Sequence, residues 1–92
     1  MMTQKRPASR RRPEASKLLR AFVLVQTLPG RVGSIVGEIQ RIKAVREVDT
    51  VTGPYDIVVR LEVDDLREIS PVVAGKIGGL KGVTRTTTLL CL

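Results

Sequence analysis

The chain has 92 residues, with 16 Lys and Arg, 9 Asp and Glu, one Cys and no His, for a net charge of +7. A chain this short forms one small domain with a thin core, which contact with a second copy would help to stabilise. The absence of His excludes the imidazole bases of Ser and Cys hydrolases and most zinc or iron sites. We therefore expect no enzymatic activity, no cofactor and no metal site.

Two further features narrow the class of protein. The lone Cys91, next to the C-terminal residue, cannot form an internal disulfide, and we interpret it as a half-buried strand residue. No apolar run reaches the ~18 residues of a membrane span, and the N-terminus has no apolar stretch of the signal-peptide type. We expect a cytoplasmic protein that makes no contact with a membrane.

The positive charge is concentrated at the N-terminus. Through Arg20 the chain has seven Lys and Arg and one Glu, or +6, and the remaining residues have nine Lys and Arg and eight Asp and Glu, or +1. The first sixteen residues are almost free of apolar side chains, so we expect residues 1–19 to form a disordered basic tail. Its Arg10-Arg11-Arg12 run can hold phosphates only without sequence specificity.

The first predicted elements after the tail are a strand and a helix. Residues 21–27 are short, apolar and β-branched, which predicts a strand that ends before Pro29-Gly30. Apolar residues then recur at steps of three and four, which predicts an amphipathic helix with Val32, Ile35, Val36, Ile39 and Ile42 on its buried side. Two strands follow, residues 45–52 and 57–63, joined by a tight hairpin at Gly53-Pro54-Tyr55-Asp56.

A second helix and a last strand complete the chain. Asp64 or Asp65 can cap this helix, Gly78-Gly79 ends it, and its apolar positions are Leu66, Ile69, Val73, Ile77 and Leu80. Pro71 lies inside the pattern, so either the helix kinks there or it begins with Ser70 as cap; we favour the kink. Residues 83–90 form the fourth strand.

The order strand, helix, strand, strand, helix, strand predicts a ferredoxin-like α+β fold, with two helices on one face of a four-stranded antiparallel sheet. The first strand is apolar on both sides, since Phe22 and Leu24 oppose Ala21, Val23 and Val25. A second apolar face usually marks association, so we predict at least a dimer that packs sheet to sheet. The alternative is a monomer whose outer face is solvated by Gln26, Arg60 and Glu62.

Three segments, residues 21–27, 51–59 and 82–88, together resemble the effector-binding domain of the Lrp/AsnC family, also called the regulation of amino-acid metabolism (RAM) domain. The resemblance covers residues 20–92 and implies sheet-to-sheet dimers, octamers or decamers of these, and amino-acid effectors bound where dimers meet. Full-length members also have an N-terminal helix-turn-helix, in whose place this chain has only the basic tail. We expect a stand-alone domain without specific DNA binding, with full-length Lrp/AsnC regulators as partners.

The resemblance also implies a set of ligand-binding residues: Gly53, Tyr55, Asp56, Thr86 and Thr88, with Arg85 as a further carboxylate anchor. Asp56 would bind the effector ammonium, backbone N–H groups of residues 53–55 its carboxylate, and the Tyr55 ring would form a wall. The alternative is a purely structural turn, in which Asp56 bonds its own backbone and Tyr55 covers the sheet edge. We interpret Thr84 and Thr87 only as strand formers.

Three functions compete on these grounds. We favour an amino-acid or small-metabolite sensor that forms oligomers and acts through relatives that bind DNA. The second is a small dimeric α+β barrel enzyme, against which the absence of His and of a suitable acid-base pair counts. The third is a non-specific nucleic-acid binder that acts through the tails of an oligomer.

Overall fold

The computed structural model describes residues 18–92, so the predicted tail up to residue 17 lies outside the described part of the chain. Four strands form one sheet in the order β2-β3-β1-β4, and every neighbouring pair is antiparallel. Their bounds in chain order are Leu19–Thr27 for β1, Val45–Thr50 for β2, Ile57–Val63 for β3 and Val83–Leu90 for β4. The predicted ferredoxin-like α+β fold is confirmed.

The strand ends differ from the predictions by one or two residues. β1 begins at Leu19, ahead of the predicted domain boundary at residue 20, because Leu19 pairs with Val63 of β3. β2 ends at Thr50. At the C-terminus the ladder continues past β4, since the N–H of Cys91 donates to the Arg20 carbonyl at 2.9 Å. Cys91 is half-buried, as predicted.

The first helix, α1, spans Val32–Ile39 and is shorter than its apolar pattern. Ile35 and Ile39 are fully buried against the sheet. Ile42 follows the helix in a turn and still packs on the core, which explains why it fits the helical spacing. Hydrophobic contact places it there although the helical hydrogen bonds have ended.

The predicted second helix consists of two segments. A 3₁₀ turn, Leu66–Glu68, is capped by Asp65, whose carboxylate accepts the Arg67 N–H at 2.8 Å. A π-helical segment, Pro71–Ile77, follows and is called α2 here. Ile69 and Ser70 are helical too, and Ser70 makes no side-chain cap hydrogen bond, so the helix does not begin with Ser70 as cap but continues through Pro71. The helical geometry therefore changes at Pro71, where the chain lacks an N–H donor.

The core lies between one face of the sheet and the two helices. Its buried side chains alternate along the two central strands, as the period of a strand requires. The fully buried residues of the core include Val23, Val25, Ile35, Ile39, Ile57, Val59, Leu61 and Ile77. Among residues 18–92 no polar or charged residue is buried, and no helix is long and apolar enough to cross a membrane.

The other face of the sheet, called the open face here, is covered by no helix of residues 18–92. It carries Phe22 and Leu24 of β1 and Val58 of β3, whose side chains are half-buried. The register pairs Leu24 with Val58, so apolar side chains from the two central strands lie side by side. The open face is thus apolar along its middle, as the sequence predicted.

Candidate functional site

The hairpin between β2 and β3 is held in a defined shape by backbone bonds. Gly53 has φ +132, a conformation that L side chains rarely adopt, which accounts for glycine at this turn. The Val51 N–H donates to the Asp56 carbonyl at 2.9 Å and closes the hairpin. The Asp56 N–H donates to the Val25 carbonyl at 2.9 Å, which joins the hairpin to β1.

The carboxylate of Asp56 is directed toward the end of β1. Its Oδ2 atom accepts the backbone N–H of Thr27 at 2.8 Å and the Thr27 hydroxyl at 3.3 Å. Both donors belong to Thr27 of β1, whereas our structural alternative placed the donor in the backbone of the hairpin itself. Oδ1 makes no hydrogen bond within residues 18–92, so one carboxylate oxygen remains for another donor.

Tyr55 connects the same hairpin to β4, and Pro54 connects it to β1. The hydroxyls of Tyr55 and Thr87 lie 2.7 Å apart in a hydrogen bond that reaches β4. The amide nitrogen of Gln26 donates to the Pro54 carbonyl at 3.0 Å. Because Thr87 pairs with Leu24 on the open face, the Tyr55 hydroxyl reaches this face of the sheet.

The alternation of β4 separates the residues that the resemblance grouped together. Arg85 pairs with Gln26 and lies on the open face. Thr86 and Thr88 pair with Val25 and Val23, whose side chains are buried under the helices. Thr88 lines an apolar groove of about 350 Å³ beside α2, together with Leu66, Ile69, Ser70, Val73 and Ala74. A single chain therefore brings Gly53, Tyr55 and Asp56 together but does not gather all six predicted residues in one pocket.

Sequence reasoning missed the polar partners that hold the hairpin and the start of β4. Thr27 and Gln26 were interpreted as the end of a strand, and Thr84 and Thr87 only as strand formers. The Thr84 hydroxyl donates to the Gln26 carbonyl at 3.1 Å, beside the register shift between Gln26 and Thr27. No local pattern identifies these contacts, because each depends on the pairing of β1 with β4.

A second depression lies at the opposite end of the sheet. Its volume is about 350 Å³, and its charged lining has both signs, with Lys43, Arg46, Lys76, Glu62, Asp64 and Glu68. Arg46 and Glu62 already form an ion pair of 3.2 Å. Within the described residues no group of three His, Cys, Asp or Glu side chains has the arrangement of a metal site.

The described residues thus form a ferredoxin-like sheet with an open apolar face and a polar hairpin at one end. In a comparison with protein families, the model of the Lrp/AsnC ligand binding domain matches residues 20–92. The chain belongs to this family.

Known proteins with similar sequences and structures include transcriptional regulators. The chain is 31% identical over 68 residues to PH0140 of Pyrococcus horikoshii, an uncharacterized HTH-type transcriptional regulator. The match covers 74% of this chain and 43% of that protein, so the chain spans less than half the length of this relative.

Two solved structures show the same fold. TTHA0845 from Thermus thermophilus is 40% identical with a TM-score of 0.78, and the match covers 80% of this chain and 92% of that one. The complex of the regulator NMB0573 from Neisseria meningitidis with L-Met has a TM-score of 0.73 at 17% identity, covering 100% of this chain and 58% of that one. At this identity the second likeness shows the fold alone.

Proposed function

We propose that this chain is an amino-acid-responsive domain that forms oligomers and acts on Lrp/AsnC transcriptional regulators without specific DNA binding of its own. The family match supports a ligand-binding role. The observation that carries the proposal is the Asp56 carboxylate, fixed by Thr27 through one oxygen and open to a ligand through the other. The binding of L-Met by a regulator of the same fold is consistent with an amino-acid ligand.

Each group of the hairpin has a role in this proposal. The Oδ1 atom of Asp56 accepts the ligand ammonium, and backbone N–H groups of residues 53–55 donate to its carboxylate. The Tyr55 ring, tied to Thr87, forms one wall of the pocket. Arg85 is exposed at the same end of the sheet but lies on the open face, which the proposed dimer covers, so the proposed pocket does not use its guanidinium.

The pocket would be completed by a neighbouring dimer. Thr86 and Thr88 lie on the helix side of β4, away from the Tyr55 hydroxyl, so a ligand at Asp56 meets such threonines only if a second molecule supplies them. This proposal includes sheet-to-sheet dimers through the open face and their further assembly into octamers or decamers. Effector binding and oligomer assembly would then be coupled, because the effector binds only the assembled form.

The relatives also favour a regulatory role over a catalytic one, since PH0140 is described as an HTH-type transcriptional regulator. Mixed assemblies with full-length family members would transmit the ligand signal to DNA. A cytoplasmic location belongs to the same proposal, since a partner of DNA-binding regulators must have access to them.

Isothermal titration of the chain with each of the twenty amino acids tests the proposal, together with light scattering in the presence and absence of ligand. We expect heat for at least one amino acid and a ligand-dependent shift in oligomer mass. Asp56→Asn keeps an acceptor for Thr27 but removes the charge, and should weaken binding by at least about tenfold, the loss expected for a charge-assisted hydrogen bond.

The matched control is Asp64→Asn, because Asp64 is an exposed carboxylate at the opposite end of the sheet. This variant should bind the amino acid with unchanged affinity. The absence of heat for all twenty amino acids, with an unchanged oligomer mass, would contradict the proposal.

A further inference from the structure

We propose that Asp49 and Arg85 orient the sheet-to-sheet dimer, so that β2 of one protomer lies over β4 of its partner and Asp49 pairs with the partner's Arg85. The inference rests on the dimer proposed above and adds the charges that select its geometry. It concerns the assembly alone and makes no use of the effector.

The register of the sheet arranges the open face in rows that cross all four strands. One row runs from Asp49 through Val58 and Leu24 to Thr87. The next row toward the opposite end runs from Glu47 through Arg60 and Phe22 to Leu89. Arg85 pairs with Gln26 in the row nearest the hairpin. On the open face β2 therefore carries the acids Glu47 and Asp49, the two central strands carry Phe22, Leu24 and Val58 beside Arg60, and β4 carries Arg85.

The charges at the two edges differ in whether the chain itself neutralises them. Glu47 forms an ion pair of 3.3 Å with Arg60, which also contacts Glu62 at 3.0 Å. Asp49 and Arg85 are both exposed, and neither forms an ion pair within residues 18–92. Three strand spacings separate them, or about 14 Å, which is too far for contact within one sheet. Each is available for a charge on a second molecule.

Symmetry decides which charges meet when two open faces stack. A two-fold axis parallel to the strands places β2 over the partner's β4, which brings Asp49 of each protomer near the partner's Arg85. An axis across the strands places β2 over the partner's β2, so that Asp49 and the partner's Arg85 remain at opposite edges. Only the first arrangement brings Asp49 to the partner's Arg85, and it does so twice in each dimer while the apolar side chains of the central strands still stack.

Charge reversal tests this orientation by sedimentation velocity and by native mass spectrometry with protomers of different mass. Asp49→Lys alone and Arg85→Glu alone each place like charges together twice, so each should raise the dimer dissociation constant by at least about tenfold. A mixture of the two variants should form heterodimers, because both contacts then join opposite charges. The double variant should regain the wild-type dissociation constant.

Asp64→Lys is the matched control, since Asp64 is an exposed acid outside the rows of the open face, and it should leave the dimer unchanged. The neutral variants Asp49→Asn and Arg85→Gln, which disturb folding least, should reduce the salt dependence of dimerisation. If the single reversals dimerise as well as wild type, or their mixture forms no excess of heterodimers, the orientation is wrong although the dimer stands. A wild-type chain that stays monomeric overturns the dimer and this inference together, whereas failure of amino-acid binding leaves both unaffected.

Discussion

Asp56 anchors the hairpin to β1, and in the proposed function its second carboxylate oxygen also binds the ligand. Its Oδ2 atom holds the backbone N–H and hydroxyl of Thr27, and its main-chain N–H joins Val25, so the hairpin is anchored at the end of β1. A carboxylate held in this way has lost most of its rotational freedom before a ligand arrives. Such preorganisation raises affinity because less entropy is lost on binding.

A second carboxylate shows how local hydrogen bonds change a pKa. The Arg67 side chain donates to Asp65 at 2.7 Å, and together with the Arg67 backbone N–H it holds the pKa of Asp65 below its ordinary value of 3.8. We expect Arg67→Gln to raise this pKa toward 3.8, as followed by NMR titration of the carboxyl carbon. Arg60→Gln removes an arginine that does not contact Asp65 and should leave the titration unchanged.

The sign of the effect on stability follows from the direction of that shift. Because the folded-state pKa is lowered, ionised Asp65 favours the folded state above its ordinary pKa, and this contribution is lost as the pH falls through the folded-state value. The contribution is small because both side chains are solvent-exposed. A pKa of Asp65 at or above 3.8 in the wild-type chain would contradict the hydrogen bonds described here.

At the scale of elements, the join between α2 and β4 depends on close approach of the backbone to α1. Gly82 has φ +100, and a Cβ placed there would lie 3.0 Å from Cγ of Arg31 and 3.1 Å from Cδ1 of Ile35. The Gly82 carbonyl also accepts the Leu28 N–H at 2.8 Å. Gly82, the residue before β4, is therefore placed by contacts with Ile35 of α1 and with Leu28, which follows β1.

Two glycine substitutions should consequently have opposite effects on the free energy of unfolding. Gly82→Ala should reduce it by about 1–3 kcal/mol, because the residue must keep a positive φ and displace the α1 side chains. Gly75→Ala should raise it by about 0.5–1 kcal/mol, since a Cβ at this helical position meets no atom within 4 Å. Urea unfolding of both variants beside wild type measures the difference, and a loss of stability in Gly75→Ala would contradict this account of α2.

At the scale of the molecule, both helices of residues 18–92 lie on one side of the sheet. Phe22, Leu24 and Val58 on the other side are half-buried in the single chain. A thin domain of this kind gains stability when a second sheet covers these residues. The fold therefore makes association through the open face the natural source of additional burial.

Leu24→Lys places a charge in the middle row of the open face. Each dimer would contain two such charges, and losing the burial of two leucines costs at least ~3 kcal/mol, so the dissociation constant should rise by about a hundredfold or more. Analytical ultracentrifugation measures this constant, and circular dichroism should show an intact fold. Leu28→Lys is the control, because Leu28 is 49% exposed and lies beyond β1. Equal dissociation constants for wild type, Leu24→Lys and Leu28→Lys would show that the open face is not the interface.

The order of the elements and the inward face of each could be predicted from local sequence, because both depend on neighbours close in the chain. The spacing of four between Ile35 and Ile39 identifies the buried side of α1. The spacing of two between Val23 and Val25 identifies the buried side of β1, and both spacings follow from local geometry. The glycine-containing hairpin was likewise predicted from adjacent residues, and the conformation of Gly53 agrees with it.

The side chains that meet at the candidate site could not be predicted in this way, because their contacts depend on the order of the strands in the sheet. Tyr55 reaches Thr87 and Asp56 reaches Thr27 because β1 lies between β3 and β4, a strand order that no local pattern specifies. The same register sends Thr86 and Arg85 to opposite faces, since successive residues of a strand alternate in direction. Contacts between residues 29 or more positions apart depend on how the strands pair, and pairing is a property of the whole sheet.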